Sequence, residues 1–379
     1  MTIRRATSVL LMSLLVGLIL VGCGEKIAIP KAVGLYSVSN YQEDGVFDVD
    51  DLRGLSTAAG QLFVLTGNAL HKRNQAFVGL DSIMTFGDAT SLCVADGDTQ
   101  VFIWDQAAGE VSWYSTRNLE PPVGLPGSTA LPAVQSCVGM ATSTAGLSQV
   151  PGAITYLYLA DPDSGVVHRY AFDPYSGLLP HGILCRDNGE GARFVRQPAG
   201  LARDSADSML VCDRITDRNW VIRFKSVPDQ TDLADEGSDP LRGHAALFRE
   251  FPCTPQPAAA YVLGDAAECG EGEWVGGVSD EIGAFNEPHD VAVDGDGQIF
   301  VADWGNNRVQ IFSADGYYIQ AFGDTTLTPR PTSIAVSDYQ VNTDEIFHGA
   351  FLWVTGDGAV RKFLSADYFD WLNRQQVEE

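Results

Sequence analysis

The chain has 379 residues, 45% of them hydrophobic, with 24 Lys and Arg set against 49 Asp and Glu for a formal net charge of −25. That apolar share supports a large folded core. The charge excludes a nucleic-acid binder, whose phosphate contacts need a surplus of Lys and Arg. It also disfavours adhesion of the folded part to anionic lipid.

The chain opens with Arg4 and Arg5, an apolar run over residues 9–21 and then Leu20-Val21-Gly22-Cys23. Basic residues, an apolar run and a small residue before a cleavage point form an export signal. This segment resembles a bacterial lipoprotein signal. The resemblance implies that residues 1–22 are removed and that Cys23 carries the lipid. Residues 23–32 become a tether. It further implies a place in the bacterial cell envelope, with the membrane as partner through the N-terminal lipid. Gly24 stands where Asp would favour inner-membrane retention, so the outer membrane is expected.

From residue 54 onward, short apolar runs alternate with Gly, Asp and Asn turns. Strand-turn-strand centres fall at 62–65 into 69–73, 101–105 into 111–114, 156–161 into 166–170, 209–213 into 220–224, 299–303 into 308–312 and 351–354 into 359–363. Inner strands are expected before them at 54–55, 91–95, 137–141, 200–203, 291–294 and 333–336. The fifth copy is complete, because residues 285–323 hold four apolar runs and three hairpin turns. Sheets that are apolar on both faces must stack on one another. The expected fold is therefore all-β, a six-bladed β-propeller of four-stranded antiparallel blades over residues 33–364. Residues 226–284 form a long insertion between the fourth and fifth copies. Residues 365–379 are expected as a helix or tail, and residues 33–39 as the N-terminal strand that closes the ring.

The fifth copy, with Pro288-His289-Asp290-Val291, Val301-Ala302-Asp303 and Asn306-Asn307-Arg308, resembles the NHL-repeat propellers. Asp213 keeps the acidic position of Asp303, whereas Thr66 and Thr355 replace it. The family includes protein-binding modules and some enzymes, among them lyases that hold zinc in the central channel. The resemblance implies His289 as one such metal position, but the matching positions Pro198-Ala199 and Pro331-Thr332 carry no imidazole.

Calcium is a second ion to weigh, at the turns Asp294–Gly297, Asp161–Gly165, Asp96–Asp98 and Asp48–Asp51. None supplies the EF-hand Glu, and Asp-Gly pairs favour turns for local reasons. No cofactor is assigned from the sequence, and a structural calcium or a channel zinc is what it leaves open.

Six cysteines follow Cys23, an even number that suggests disulfides in an exported chain. Cys253 and Cys269 bracket part of the insertion. Cys93 with Cys137, and Cys185 with Cys212, would be the other pairs, with buried free thiols as the alternative. Trp104, Trp113 and Trp353 fall within strands and read as packing, whereas Trp274 and Trp304 fall outside them and are candidates for contact with a partner. The functional expectation is a lipid-anchored module that binds or scaffolds a protein or small molecule. The alternative is a metal-assisted lyase or a lactonase-like hydrolase in the channel.

Overall fold

The computed structural model describes residues 41–378 except 96, 98, 146–153, 187–194, 205–207, 216–217, 225–261, 264–283, 315, 317 and 343–344. These residues form six four-stranded antiparallel sheets. Their inner strands are Leu52–Ala58, Ala89–Val94, Gly139–Ala145, Pro198–Arg203, Pro288–Val293 and Ser333–Asn342. They surround a central cavity of about 300 Å³. The molecule is a six-bladed β-propeller.

The second strand of each blade explains why the ring forms. Side chains on a strand alternate between faces, and here both faces are apolar. Phe63 and Leu65 of blade one pack with Val101 and Ile103 of blade two, while Leu62 and Val64 pack with Phe351 and Trp353 of blade six. Phe102 and Trp104 meet Leu157 and Leu159, and Tyr156 and Tyr158 meet Met209 and Val211. Leu210 and Cys212 meet Ile299 and Val301, and Phe300 and Ala302 meet Leu352 and Val354. Six seams therefore use every residue of a continuous apolar run. Burial of this kind contributes about 25 cal/mol per Å² of apolar surface.

The ring is closed by an N-terminal strand, Tyr41–Asp48, which lies antiparallel to Ala359–Ser365 as the outer strand of blade six. Residues 33–39, expected in this role, lie outside the described residues. The strand that takes the place is YQEDGVFD, mostly exposed and acidic. An outer strand buries little, so hydrophobicity does not mark it.

Two other segments refine the sequence reading. The insertion interrupts blade four, because Val262–Leu263 pairs with Val221 and Ile222 as that blade's fourth strand. The C-terminal segment is an α-helix, Ala366–Glu378. Its Tyr368, Trp371 and Leu372 pack with Tyr339, Phe347 and Phe351 on the long hairpin Ser333–Asn342 and Glu345–Gly356 of blade six.

Candidate binding site at the channel mouth

A hydrogen-bonding side chain recurs at the end of the second strand in five of the six blades and sets the shape of one face. In four blades it is a buried aspartate whose carboxylate accepts backbone N–H groups from the loop leading into the inner strand. Asp105 accepts from Gly87 at 2.8 Å and Asp88 at 3.0 Å, and Asp161 from Gln135 at 2.8 Å. Asp213 accepts from Gln197 at 2.9 Å and Asp303 from Asn286 at 2.7 Å. Thr355 does the same through its hydroxyl, accepting from Ser333 at 2.7 Å. Loops that would otherwise leave orphan donors are thus fixed. The role of Asp105 and Asp161 was not drawn from the sequence, although both close a strand-turn-strand centre as Asp303 does.

Fixed loops place a cluster at the mouth between blades four, five and six. Trp304 lies in a 3₁₀ turn, Trp304–Asn306, directly after Asp303. A side chain at Gly305 would put its Cβ 2.3 Å from Asn286 Cγ, so only glycine lets this turn dock there. The indole stacks on His289, the second residue of its blade's inner strand, with ring centroids 5.3 Å apart and planes 11° apart.

Arg214 follows Asp213 at the end of blade four's second strand. Its Nη1 lies 3.3 Å from Nε2 and 3.5 Å from Nδ1 of His289, nearly equidistant. An in-plane approach at those distances would collide with Cε1, so the guanidinium sits over the ring face. On the blade-six side the Arg330 guanidinium lies 5.4 Å from the Trp304 ring centroid. Asn307 holds that loop, its Oδ1 accepting the Arg330 N–H at 3.0 Å and its carbonyl the Thr328 hydroxyl at 2.8 Å.

Glu287, Asn307 and Arg330 each adopt a left-handed backbone, with φ of 52°, 53° and 44°. For non-glycine residues this conformation is costly, and such strain concentrates at functional sites. The electrostatics follow from the packing. Burial, and then the Arg214 charge, push the His289 pKa down to about 3, so its ring is neutral near pH 7. Burial also lowers Arg214, against the opposing influence of Glu287 and Asp213. Below the mouth, burial raises Asp290 to about 6, although it accepts hydrogen bonds from Ile334, Ser333 and Val291.

The sequence-derived candidates separate on this structure. Trp304 and His289 come together. Trp274, Cys23, Cys253 and Cys269 lie outside the described residues, and the Cys185 side chain is not described. His289 touches a guanidinium and an indole, and among the described residues no three His, Cys, Asp or Glu are grouped to hold a metal. Asp294 serves its own turn, accepting from Asp296 at 3.0 Å and Gln298 at 2.8 Å.

The expected disulfides of Cys93, Cys137 and Cys212 are corrected. All three are buried free thiols. Thr90 donates to the Cys137 carbonyl, and Thr142 to the Val94 carbonyl. Cys93 therefore lies about three residues, roughly 10 Å, along the channel from Cys137, beyond disulfide reach. Cys212 packs into the seam between blades four and five, whereas Cys185 is on the outer strand of blade three.

Arg214 and Arg330 were not singled out in the sequence. They come from different blades, and no local motif marks residues that meet only when a ring closes.

Residues 285–312 match the family model for the NHL repeat. Blade five is an NHL repeat. No curated protein matches the chain. Among solved structures the chain is similar in fold to virginiamycin B lyase from Staphylococcus aureus, at 10% identity over 86% of this chain and 99% of that one, with a TM-score of 0.45. It is similar also to a calcium-binding protein, regucalcin, from Agrobacterium tumefaciens, at 13% identity over 84% and 92%, with a TM-score of 0.47. A gluconolactonase from Xanthomonas campestris stands at 10% identity over 84% and 89%, also with a TM-score of 0.47.

Proposed function

We propose that this protein is an envelope binding module, held to the membrane by lipid on Cys23, whose recognition site is the mouth formed by Arg214, His289, Trp304 and Arg330. The observation that carries this reading is the stack of Arg214, His289 and Trp304. A flat aromatic face beside the half-buried Arg214 and the exposed Arg330 is suited to hold a ligand group, since aromatic and arginine side chains dominate recognition surfaces. The rigid ring sets their spacing, and the loops carry the contact. Trp274 in the insertion is proposed as a second contact. Among the described residues no metal group supports the alternative of a metal-assisted reaction.

The test is retention of molecules from envelope extracts by the immobilised protein, identified by mass spectrometry. Wild type is compared with Trp304→Ala and with Asp296→Asn, which lies in the turn at the opposite end of blade five's inner strand. The expected result is loss of specific retention in Trp304→Ala alone. Equal retention by all three rejects the mouth as the site. Replacing Cys23 by Ser is expected to move the protein from the membrane to the soluble fraction.

A further inference from the structure

The cations that are held in place in this acidic chain are held in two ways, by carboxylates or, for Lys72, Arg73 and Arg361, by backbone carbonyls. Arg308 meets Asp303 at 2.6 Å, Arg223 meets Asp204 at 2.9 Å, Arg53 meets Asp51 at 2.8 Å and Lys362 meets Asp44 at 2.5 Å. Among the described residues the side chains of Arg214 and Arg330 have neither kind of acceptor. The side-chain contacts of Arg214 are the two ring nitrogens of His289, and that of Arg330 is the face of Trp304. Among the described residues neither has a carboxylate within ion-pair distance, although Asp and Glu outnumber Lys and Arg by 49 to 24 in the chain. Arg214 is also half-buried at the mouth of the channel. A partly desolvated guanidinium without a counter-charge is unfavourable, and a bound anion relieves it.

We infer that the channel mouth binds an oxyanion, a carboxylate or a phosphate, on the fork of Arg214 beside the imidazole of His289, with an attached flat apolar group against Trp304. This rests on the reading of the mouth as the recognition site and names its ligand class. Guanidinium geometry matches two parallel hydrogen bonds to a carboxylate or phosphate. The neutral imidazole supplies one N–H donor. Arg330 adds positive potential at the rim. Glu287 and Asp213 are the carboxylates whose charges act on Arg214, from beyond ion-pair distance, and they oppose the anion. Pairing therefore depends on direct contact with the fork and not on the general field.

The experiment measures binding of benzoate, inorganic phosphate and benzamide to the full chain at pH 7, by calorimetry and by the NMR shifts of the His289 ring. Benzoate and benzamide have the same shape and differ in charge. Expected results are that benzoate and phosphate bind and shift His289 while benzamide does not. Arg214→Gln is expected to weaken benzoate at least tenfold, the scale of one lost charge-assisted hydrogen bond. Arg214→Lys should fall between, since it keeps the charge and loses the fork. Arg330→Gln should reduce affinity less than Arg214→Gln does, and it covers the case in which Arg214→Gln fails to fold.

Benzamide binding as tightly as benzoate overturns the anion assignment and leaves the mouth standing. Benzoate and phosphate without effect on His289 overturn it as well, and retention by Trp304 then decides the mouth separately. Phosphate bound without benzoate points to a phosphate source. Benzoate bound without phosphate points to a carboxylate.

Discussion

Asp290 and Ser333 join the inner strands of blades five and six, the Asp290 Oδ2 accepting the Ser333 hydroxyl at 2.8 Å. The same oxygen accepts the Ile334 N–H at 3.0 Å, and Oδ1 accepts that of Val291 at 2.9 Å. Blade four is just as close, because a Cβ on Gly200 would come within 2.3 Å of Asp290 Cα. A carboxylate therefore sits in a tight wall, fully used as an acceptor.

Its burial has a consequence for pH. The Asp290 pKa rises from 3.8 to about 6 because burial outweighs the three hydrogen bonds. A carboxyl with a raised folded value binds its proton more readily in the folded state, so its favourable contribution is present below pH 3.8 and lost as pH rises to about 6. That displacement corresponds to about 3 kcal/mol. Asp290→Asn keeps an acceptor oxygen and removes the titration. The variant is expected to match or exceed wild-type stability at pH 7.5, with a flatter dependence between pH 4 and 7 in urea melts. A marked loss of stability at pH 7.5 would refute this.

Burial raises the Asp303 carboxyl as well, but Asp303 is tied to a cation. It accepts from Arg308 at 2.6 Å, Asn306 at 2.9 Å, Gln310 at 3.1 Å and the Asn286 N–H at 2.7 Å. Removing it leaves Arg308 without its carboxylate and the lead-in loop untied. Asp303→Ala is expected to cost about 3–5 kcal/mol in denaturant unfolding. Thr355→Ala, the corresponding change in blade six, should cost about 1–2 kcal/mol because a neutral hydroxyl is lost.

Ring closure depends on Tyr41. It stacks on Phe322 with centroids 5.6 Å apart, meets the edge of Phe300 at 6.0 Å and donates to the Gly349 carbonyl at 2.9 Å. Tyr41→Phe is expected to cost about 1 kcal/mol and Tyr41→Ala about 3–5 kcal/mol. Hydrogen exchange of residues 359–365 should rise in the alanine variant, since that strand loses its partner. Unchanged exchange there would contradict the closing role.

The seam between blades five and six has a proton-linked contact on the other face. His348 Nδ1 lies 2.9 Å from Asp338 and Nε2 lies 3.6 Å from Asp296. Burial lowers its pKa, but the Asp338 hydrogen bond and the charges of Asp338, Asp296 and Asp294 outweigh this, and the net shift is upward. A raised imidazole stabilises fully below pH 6.5, and the contribution disappears as pH rises through the folded value. His348→Gln should remove that part of the pH profile and leave stability near pH 8.5 little changed. The opposite trend, a loss confined to high pH, would count against the contact.

Much of the ring was legible in the sequence because its second strands are apolar on both faces. Phe63, Trp104 and Val301 each sit in such a run, and the Gly and Asp turns between runs fix the hairpins. The closing strand was not legible, since Tyr41–Asp48 presents acidic residues to solvent and buries chiefly Tyr41. The same applies to Val262–Leu263, two residues inside a polar insertion. At the site, His289 and Trp304 stand within the one well-formed repeat and could be named. Arg214 could not, because its meaning comes from His289, which lies 75 residues away in the chain.

The central claim is that a half-buried His289 lies against the Arg214 guanidinium, which has no carboxylate within ion-pair distance among the described residues. NMR titration of the His289 ring protons tests it most directly. The account expects a neutral imidazole from pH 8 to below pH 5, with a midpoint at about 3, and a higher midpoint in Arg214→Gln. A wild-type midpoint near 6.5, unmoved by that substitution, would contradict it.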